Sequence, residues 1–477
     1  MANGERLRIL ILQFVRPDRS RARPEFRHDL GVAVALLKAD GFDVALMPLS
    51  GYQPGRLRWA LNEYRPTHVF VDIPPTRLTA ARHIIVDVAE RRLLPVTVAG
   101  SYATSQPGQA ISVPGVTALV LGEYEQSLLE LYRSIRDERA EAVAGPEETQ
   151  FAGSRDLPGV WLNSEEGLIR NEPAALTAEP DRLPFPDREI FDYQRIVRDT
   201  RQAVFAATRG CDRWCSFCLN DCYMELYAGD AATLRRRSVG NLLDEVEAVV
   251  ARYKGIRRVA FCDHAFVADA DWLGRFAEQY PRRCRLPYRC HVRLNCVDAG
   301  VAEMLARSGC EVAEVDVGSG SSFIREEILA MPTSEGQILA GVAALKAQNL
   351  RVHGRVFVGA PYESEVSVGE TLDLLARLQL DAVRPRVFFP VPGTRAAEMC
   401  AENGWIGGGG EECFHANRSV LEMPSFPARR IDAIARRFES LLSRRRRRLR
   451  GRLAKLRRLG ARRLHLFRRR PRTGGRR

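Results

Sequence analysis

The chain is 477 residues long, 45% apolar and 27% charged. This balance suits a globular protein of two or three domains and excludes collagen-like, disordered and disulfide-scaffold chains. No run of 18 apolar residues occurs, so no spanning helix is expected, and the net charge of +13 is local: residues 444–477 hold 18 Lys and Arg and no acid, leaving 54 basic against 59 acidic residues in the body.

Taken in chain order, the apolar run at 9–15 is followed by charge and reads as a first strand, not a secretion signal. Strand-like runs rich in Val, Ile and Leu fall at 7–15, 42–49, 68–73, 95–99 and 118–121, with amphipathic helical stretches such as 28–38 and 80–91 between them. Strands alternating with helices imply crossover connections and a parallel sheet. Turn signals at Gly51, Gly100-Ser101 and Gly122 follow strands, where ligands of such sheets bind. Residues 1–136 are thus expected to form a Rossmann-like, doubly wound domain.

Residues 137–200, acidic and rich in Pro and Gly, read as a connector with a hairpin at 159–170. Leu183, Phe185 and Phe191 are too apolar for a free linker and should pack on its neighbours. Alternation returns over 201–400, with strands expected at 203–208, 258–263, 288–293, 311–317, 351–358 and 382–389 and helices at 239–252, 271–280, 299–307 and 336–348. Six strand–helix repeats predict a partial (β/α)6 barrel with its site at the strand C-termini. Residues 401–443 form a C-terminal extension, with a loop at Gly407–Gly410 and a helix over 431–442. In the basic tail, 444–477, Leu449, Leu453 and Leu456 recur at helical spacing among arginines. The tail reads as a solvated segment, with contact to an anionic membrane surface as its alternative. Nucleic acid is not expected as a partner.

All 11 cysteines lie between Cys211 and Cys413. An odd count confined to the second half argues against a disulfide framework and for a reducing, cytoplasmic setting, with peripheral attachment to the inner membrane surface as the alternative. The sharpest feature is Cys211-Asp-Arg-Trp-Cys215-Ser-Phe-Cys218, directly after the first strand of the second domain. Three thiolates so spaced can bind three irons of a cubane and leave the fourth open. The alternative is a structural zinc site with Cys222 as fourth ligand, although zinc knuckles usually pair across a longer gap.

These residues resemble the signature of the radical S-adenosylmethionine (SAM) superfamily, Cys-x3-Cys-x2-Cys with an aromatic, here Phe217, before the last cysteine. Thr208-Arg-Gly-Cys211, Leu183-Pro-Phe-Pro, Arg237-Ser-Val-Gly-Asn241 with Asp244-Glu245, and Phe389-Pro-Val-Pro-Gly-Thr394 are similar to motifs of its cobalamin-binding members. Upstream, Gly100-Ser101-Tyr102-Ala-Thr104 and Gly122-Glu123-Tyr-Glu125 resemble the loops of the cobalamin domain. The resemblance spans roughly residues 5–400.

It implies a [4Fe-4S] cluster on Cys211, Cys215 and Cys218, whose open iron chelates SAM, reductive cleavage of SAM to a 5′-deoxyadenosyl radical, and cobalamin as methyl donor. The expected activity is methylation of an unactivated carbon in a specialised or lipid metabolite, with an external reductant such as flavodoxin or ferredoxin. The alternatives are a cyclase, oxidase or rearrangement enzyme without methyl transfer, and a non-catalytic sensor. SAM contacts are expected from Phe217, Asp263, Ser319, Gly320, Arg355, Gly359 and Pro361, and cobalamin contacts from Gly100, Ser101, Tyr102, Gly122 and Glu123. His264 is a candidate for substrate contact. The chain departs from the pattern in lacking Asp-x-His-x-x-Gly, so no histidine is expected to ligate cobalt. It also has Gly318-Ser-Gly320 where Glu-Ser-Gly is common, and Tyr362 in a Gly-x-Pro-Gly-Glu loop.

Overall fold

In the computed structural model, which describes residues 7–16, 23–142, 152–227, 234–444 and 447, the chain builds two main sheets in sequence. The first comprises β1 (Arg8–Phe14), β2 (Asp43–Leu49), β3 (His68–Asp72), β4 (Val96–Ala99), β5 (Val116–Val120), β6 (Val160–Ser164) and β7 (Gly167–Arg170), in the order β2-β1-β3-β4-β5-β6-β7. β1 to β5 run parallel. Both faces are buried, which is why these strands read as continuous apolar runs. Leu10, Leu12, Val69 and Val98 pack on one side and Ile9, Ile11, Phe70 and Val120 on the other. The strand order reverses between β1 and β3, which opens a crevice at their carboxyl ends.

The hairpin at 159–170 forms, and it pairs antiparallel with β5. Part of the segment read as a connector therefore belongs to the first sheet, whose edge it covers. Val160 and Leu162 bury one face of it, and the Asn163 side-chain amide donates to the carbonyls of Ile111 and Val116. Further along, Phe191 is fully buried against Phe26, while Phe185 stays half exposed beneath the Arg237 guanidinium.

The second sheet holds six parallel strands: β8 (Gln202–Phe205), β11 (Arg258–Phe261), β12 (Tyr288–Val292), β13 (Cys310–Gly318), β14 (Arg351–Val358) and β15 (Ala382–Val387), paired in chain order. The numbers between belong to a short antiparallel ribbon of β9 (Thr208–Arg209) and β10 (Arg235–Arg236). The first strand is shorter than the expected 203–208. Its ladder stops because the Asp263 carboxylate takes the amides of Ala207 at 2.8 Å and Thr208 at 2.6 Å. Side chains of β8 to β15 alternate. One set, including Phe205, Phe261, Tyr288, Val315 and Val356, packs under the helices. The other set faces inward and is charged: His291 and Arg293, Glu314 and Asp316, His353 and Arg355, Arg384 and Arg386.

Buried ion pairs join the two units. Arg209 reaches Glu125 at 2.7 Å, and Arg235 reaches Glu123 at 2.5 Å. Behind β8, Glu245 takes Arg188 at 2.7 Å and Arg237 at 2.5 Å. Arg188 also lies over the rings of Phe26, Tyr193 and Phe205. Residues 407–410 are loop and residues 428–444 are helical, with Ile431, Phe438 and Leu442 in the second core. The tail beyond residue 447 lies outside the described residues. Among the described residues no helix is long and apolar enough to cross a membrane.

Candidate active site

A cavity of about 540 Å³ opens at the carboxyl ends of the second sheet. Ala206, just after β8, and Arg386, on β15, both line it, so the sheet curls until its two edge strands face one space.

The cysteine loop forms one wall: Cys211, Cys215, Phe217 and Cys218 all line the cavity. The loop is braced from several sides. The Asn220 amide donates to the carbonyls of Cys211 and Arg213, both at 3.1 Å. The Ser216 hydroxyl donates to the Ile328 carbonyl at 2.6 Å, and Arg395 holds Asp221 and the Trp214 carbonyl. Arg293 donates to Asp212 at 2.5 Å and to the Cys211 sulfur at 3.0 Å. Burial pushes the Cys215 thiol up to about 12 and raises that of Cys218, so these sulfurs hold their protons until a cation replaces them. The donor set fits a cubane: three thiols on one loop, a cationic Arg293 against one sulfur, and open space beside them. Cys222 turns away and donates to the Gly393 carbonyl at 2.6 Å, which removes the fourth ligand of the zinc alternative.

The opposite wall is the charged face of β12 to β15. Arg355 donates to Asp316 from Nε at 2.6 Å and from Nη2 at 2.8 Å, and the same Nη2 lies 3.1 Å from His291 Nδ1. His264 stacks on His291 with ring centres 4.8 Å apart. Burial, then the Arg355 charge, hold His291 down at about 4, and burial lowers His264 despite the facing Asp316. Both imidazoles are therefore neutral at pH 7.

The other sequence-expected residues divide in two. Phe217 meets the cavity and packs edge-on against Phe357 at 4.8 Å, and Arg355 and His264 also face it. Asp263 lines the wall, but its carboxylate is spent on Ala207 and Thr208. These bonds position the turn that leads into Cys211. Ser319, Gly320, Gly359 and Pro361 are not among the residues that line the cavity. The Ser319 hydroxyl pairs with Thr371 at 3.1 Å, and a Cβ on Gly320 would come within 2.4 Å of the Thr371 backbone. The Gly359 amide donates to Glu363, and Pro361 is buried. Residues the sequence reading missed are His291, Arg293, Asn220 and Arg386. The signal available for three of them was the run of charges at every second position in the strands.

Glu363 is 1% exposed and burial pushes its carboxyl up to about 8. A group raised on folding stabilises fully below its unfolded value, and that stability is lost as pH rises toward the folded one. The contribution of Glu363 to the melting temperature should therefore decline from about pH 5 to about pH 8, and it should appear as a pH-dependent difference between wild type and Glu363→Gln. Melts recorded across the range check this.

Between the two units lies a cleft of about 260 Å³ lined by Gly100, Ser101, Gly122, Glu123, Arg209 and Tyr223, among others. His28 and Tyr124 also line it, and their Nε2 and hydroxyl atoms are buried without a hydrogen-bond partner. Tyr223 also borders an adjoining cavity of about 250 Å³. A Cβ on Gly122 would meet the Tyr227 hydroxyl at 1.9 Å. Tyr102 is not in this cleft. It is 1% exposed, lies in the apolar core, and donates to Gln109 at 2.8 Å, so it neither contacts nor obstructs a ligand here. The four remaining expected residues, Gly100, Ser101, Gly122 and Glu123, all line the cleft.

No protein-family model matches the chain. Its architecture is similar to that of the radical SAM methyltransferase TsrM from Kitasatospora setae, solved with cobalamin and a [4Fe-4S] cluster, with a TM-score of 0.61 and 19% identity over 84% of this chain and 76% of that one. The cobalamin-dependent SAM radical enzyme OxsB, solved with aqua-cobalamin and SAM, gives a TM-score of 0.61 and 15% identity over 84% of this chain and 56% of that one. The chain has the fold of the cobalamin-dependent radical SAM enzymes. In sequence, this radical SAM fold is 24% identical over 314 residues to an uncharacterized methyltransferase of Pyrococcus horikoshii, covering 65% of this chain. It is also 25% identical over 232 residues to the tRNA-2-methylthio-N(6)-dimethylallyladenosine synthase of Aquifex aeolicus. The matched segments span 63% and 50% of these relatives' own lengths.

Proposed function

We propose that the chain is a cobalamin-dependent radical SAM enzyme that methylates an unactivated carbon of a small-molecule substrate, of the specialised or lipid metabolite class. The observation that supports this most is the placing of three thiols on one braced loop, after the first strand of a parallel sheet, at the wall of a cavity that all six strands reach. Cys211, Cys215 and Cys218 would hold the cluster, and the cleft around Gly100, Ser101, Gly122 and Glu123 would hold the corrin. When bound, these groups supply one-electron cleavage of SAM and a methyl group for transfer.

The protein's share is positioning and exclusion of water. Asp263 and Asn220 fix the backbone on either side of the thiols. Phe217 and Phe357 present an apolar face beside them. The Arg355–Asp316 pair orients His291, and neutral His264, stacked on it, is placed to accept a hydrogen bond from the substrate. A reductant of the flavodoxin or ferredoxin class would supply the electron. A methylthiolating activity is disfavoured, because the N-terminal unit has no cysteine to ligate a second cluster.

The test is a single turnover with reconstituted protein, SAM, cobalamin and reductant. Methyl transfer yields both 5′-deoxyadenosine and S-adenosylhomocysteine. 5′-Deoxyadenosine alone would replace methylation with another radical reaction, and no SAM cleavage in a cluster-loaded sample would leave a sensor.

A further inference from the structure

The inward face of the second sheet has more positive charge than it can pair. On β13 and β14 the charges match: Arg355 is satisfied by Asp316, and Glu314 by Arg289 at 2.5 Å. β15 breaks the balance. Arg384 lies 4.0 Å from Glu314, which already holds Arg289. Arg386, two residues on and therefore on the same face, lines the cavity and has no carboxylate within ion-pair distance among the described residues. Its register partner on β14 is Phe357, which offers it no counter-charge. Arg386 is exposed toward the cavity, with the like charges of Arg16, Arg355 and Arg384 around it. A guanidinium in a cavity among other guanidiniums is relieved by an anion.

Resting on the reading of this cavity as the reaction chamber, we propose that the substrate has an anionic group, a phosphate or a carboxylate, that seats on Arg386 with Arg384 beside it. Those side chains stand on the edge strand opposite β8 in the sheet order, and Arg386 lines the same cavity as the thiols. The anchor would hold the substrate by one end within the cavity that the cysteine loop walls. Arg355 and Arg293 are already committed, to Asp316 and to Asp212 with Cys211, and do not compete for the anion.

The test is isothermal titration of full-length, cluster-reconstituted protein with inorganic phosphate and with acetate, for wild type, Arg386→Ala and Arg386→Lys. The basic tail is present in all three, so the difference between them reports the cavity. At least one anion should bind about ten-fold more weakly to Arg386→Ala and only a few-fold more weakly to Arg386→Lys, with the tighter anion naming the substrate's group. Arg386 is exposed, and equal melting temperatures will confirm that the variants fold. Equal binding by wild type and Arg386→Ala would overturn the proposal. Displacement of the anion by SAM would also overturn it, by returning the subsite to the cofactor. Neither result depends on methyl transfer, so failure of the anion subsite and failure of the proposed activity are separable.

Discussion

Cys215→Ala is expected to abolish iron loading and SAM cleavage together. Wild-type protein reconstituted without oxygen should hold about four irons per chain, and the variant less than about one. Two thiolates cannot retain a cubane whose fourth iron already lacks a protein ligand. The paramagnetic signal of the reduced cluster, and its change on adding SAM, should vanish with the iron. Formation of 5′-deoxyadenosine should fall by about 10³ or more, since the bond-breaking electron has no other source in the site. Cys222→Ala is the control. Its thiol faces the Gly393 carbonyl, so iron content should match wild type. Zinc in place of iron in the wild-type protein, or equal iron loss in the two variants, would refute the assignment of the triad.

Glu245→Ala is expected to destabilise the second unit by about 3–5 kcal/mol, because removing one partner of a buried ion cluster strands the others. Arg188 and Arg237 would both lose their carboxylate, at positions 4% and 6% exposed. On the scale of a domain of this size the loss lowers the melting temperature by about 10 °C. The pH dependence has a definite sign. Burial works against the charged carboxylate, and Arg188 and Arg237 overcome it, so Glu245 titrates below the ordinary range. A depressed acid stabilises above its unfolded pKa, and that contribution disappears as pH falls through the folded one. The gap between wild type and variant should therefore be full at neutral pH and close below about pH 4. A gap that stays constant into acid would mean that the loss is one of packing, not of charge.

The strands were legible because their cause is local. The charge-rich sequence of β12 to β15 alternates with period two, and that alternation already separates a packed face from a wet one. What was not legible is how each polar group is spent. Asp263 and Asp316 look alike in the sequence, yet one is consumed by two backbone amides and a hydroxyl while the other faces the cavity with Arg355. Ser319 falls at the strand end, where a ligand contact would be expected, and is taken by Thr371 from a helix some fifty residues away. Tyr102 illustrates the same limit in the first unit, since one turn of helix decides whether its ring enters the cleft or the core. The cysteine loop escaped this ambiguity because its three functional atoms lie within eight consecutive residues.

Arg209 and Arg235 lie on the ribbon that leads into the cysteine loop, and their carboxylates come from Glu123 and Glu125 of the other unit. The halves are consequently not interchangeable parts. A chimera that joined this barrel to the N-terminal sheet of a distant relative would bury two unneutralised guanidiniums at the seam unless the acidic pair travelled with it. Exchange of the one half is thereby tied to the other.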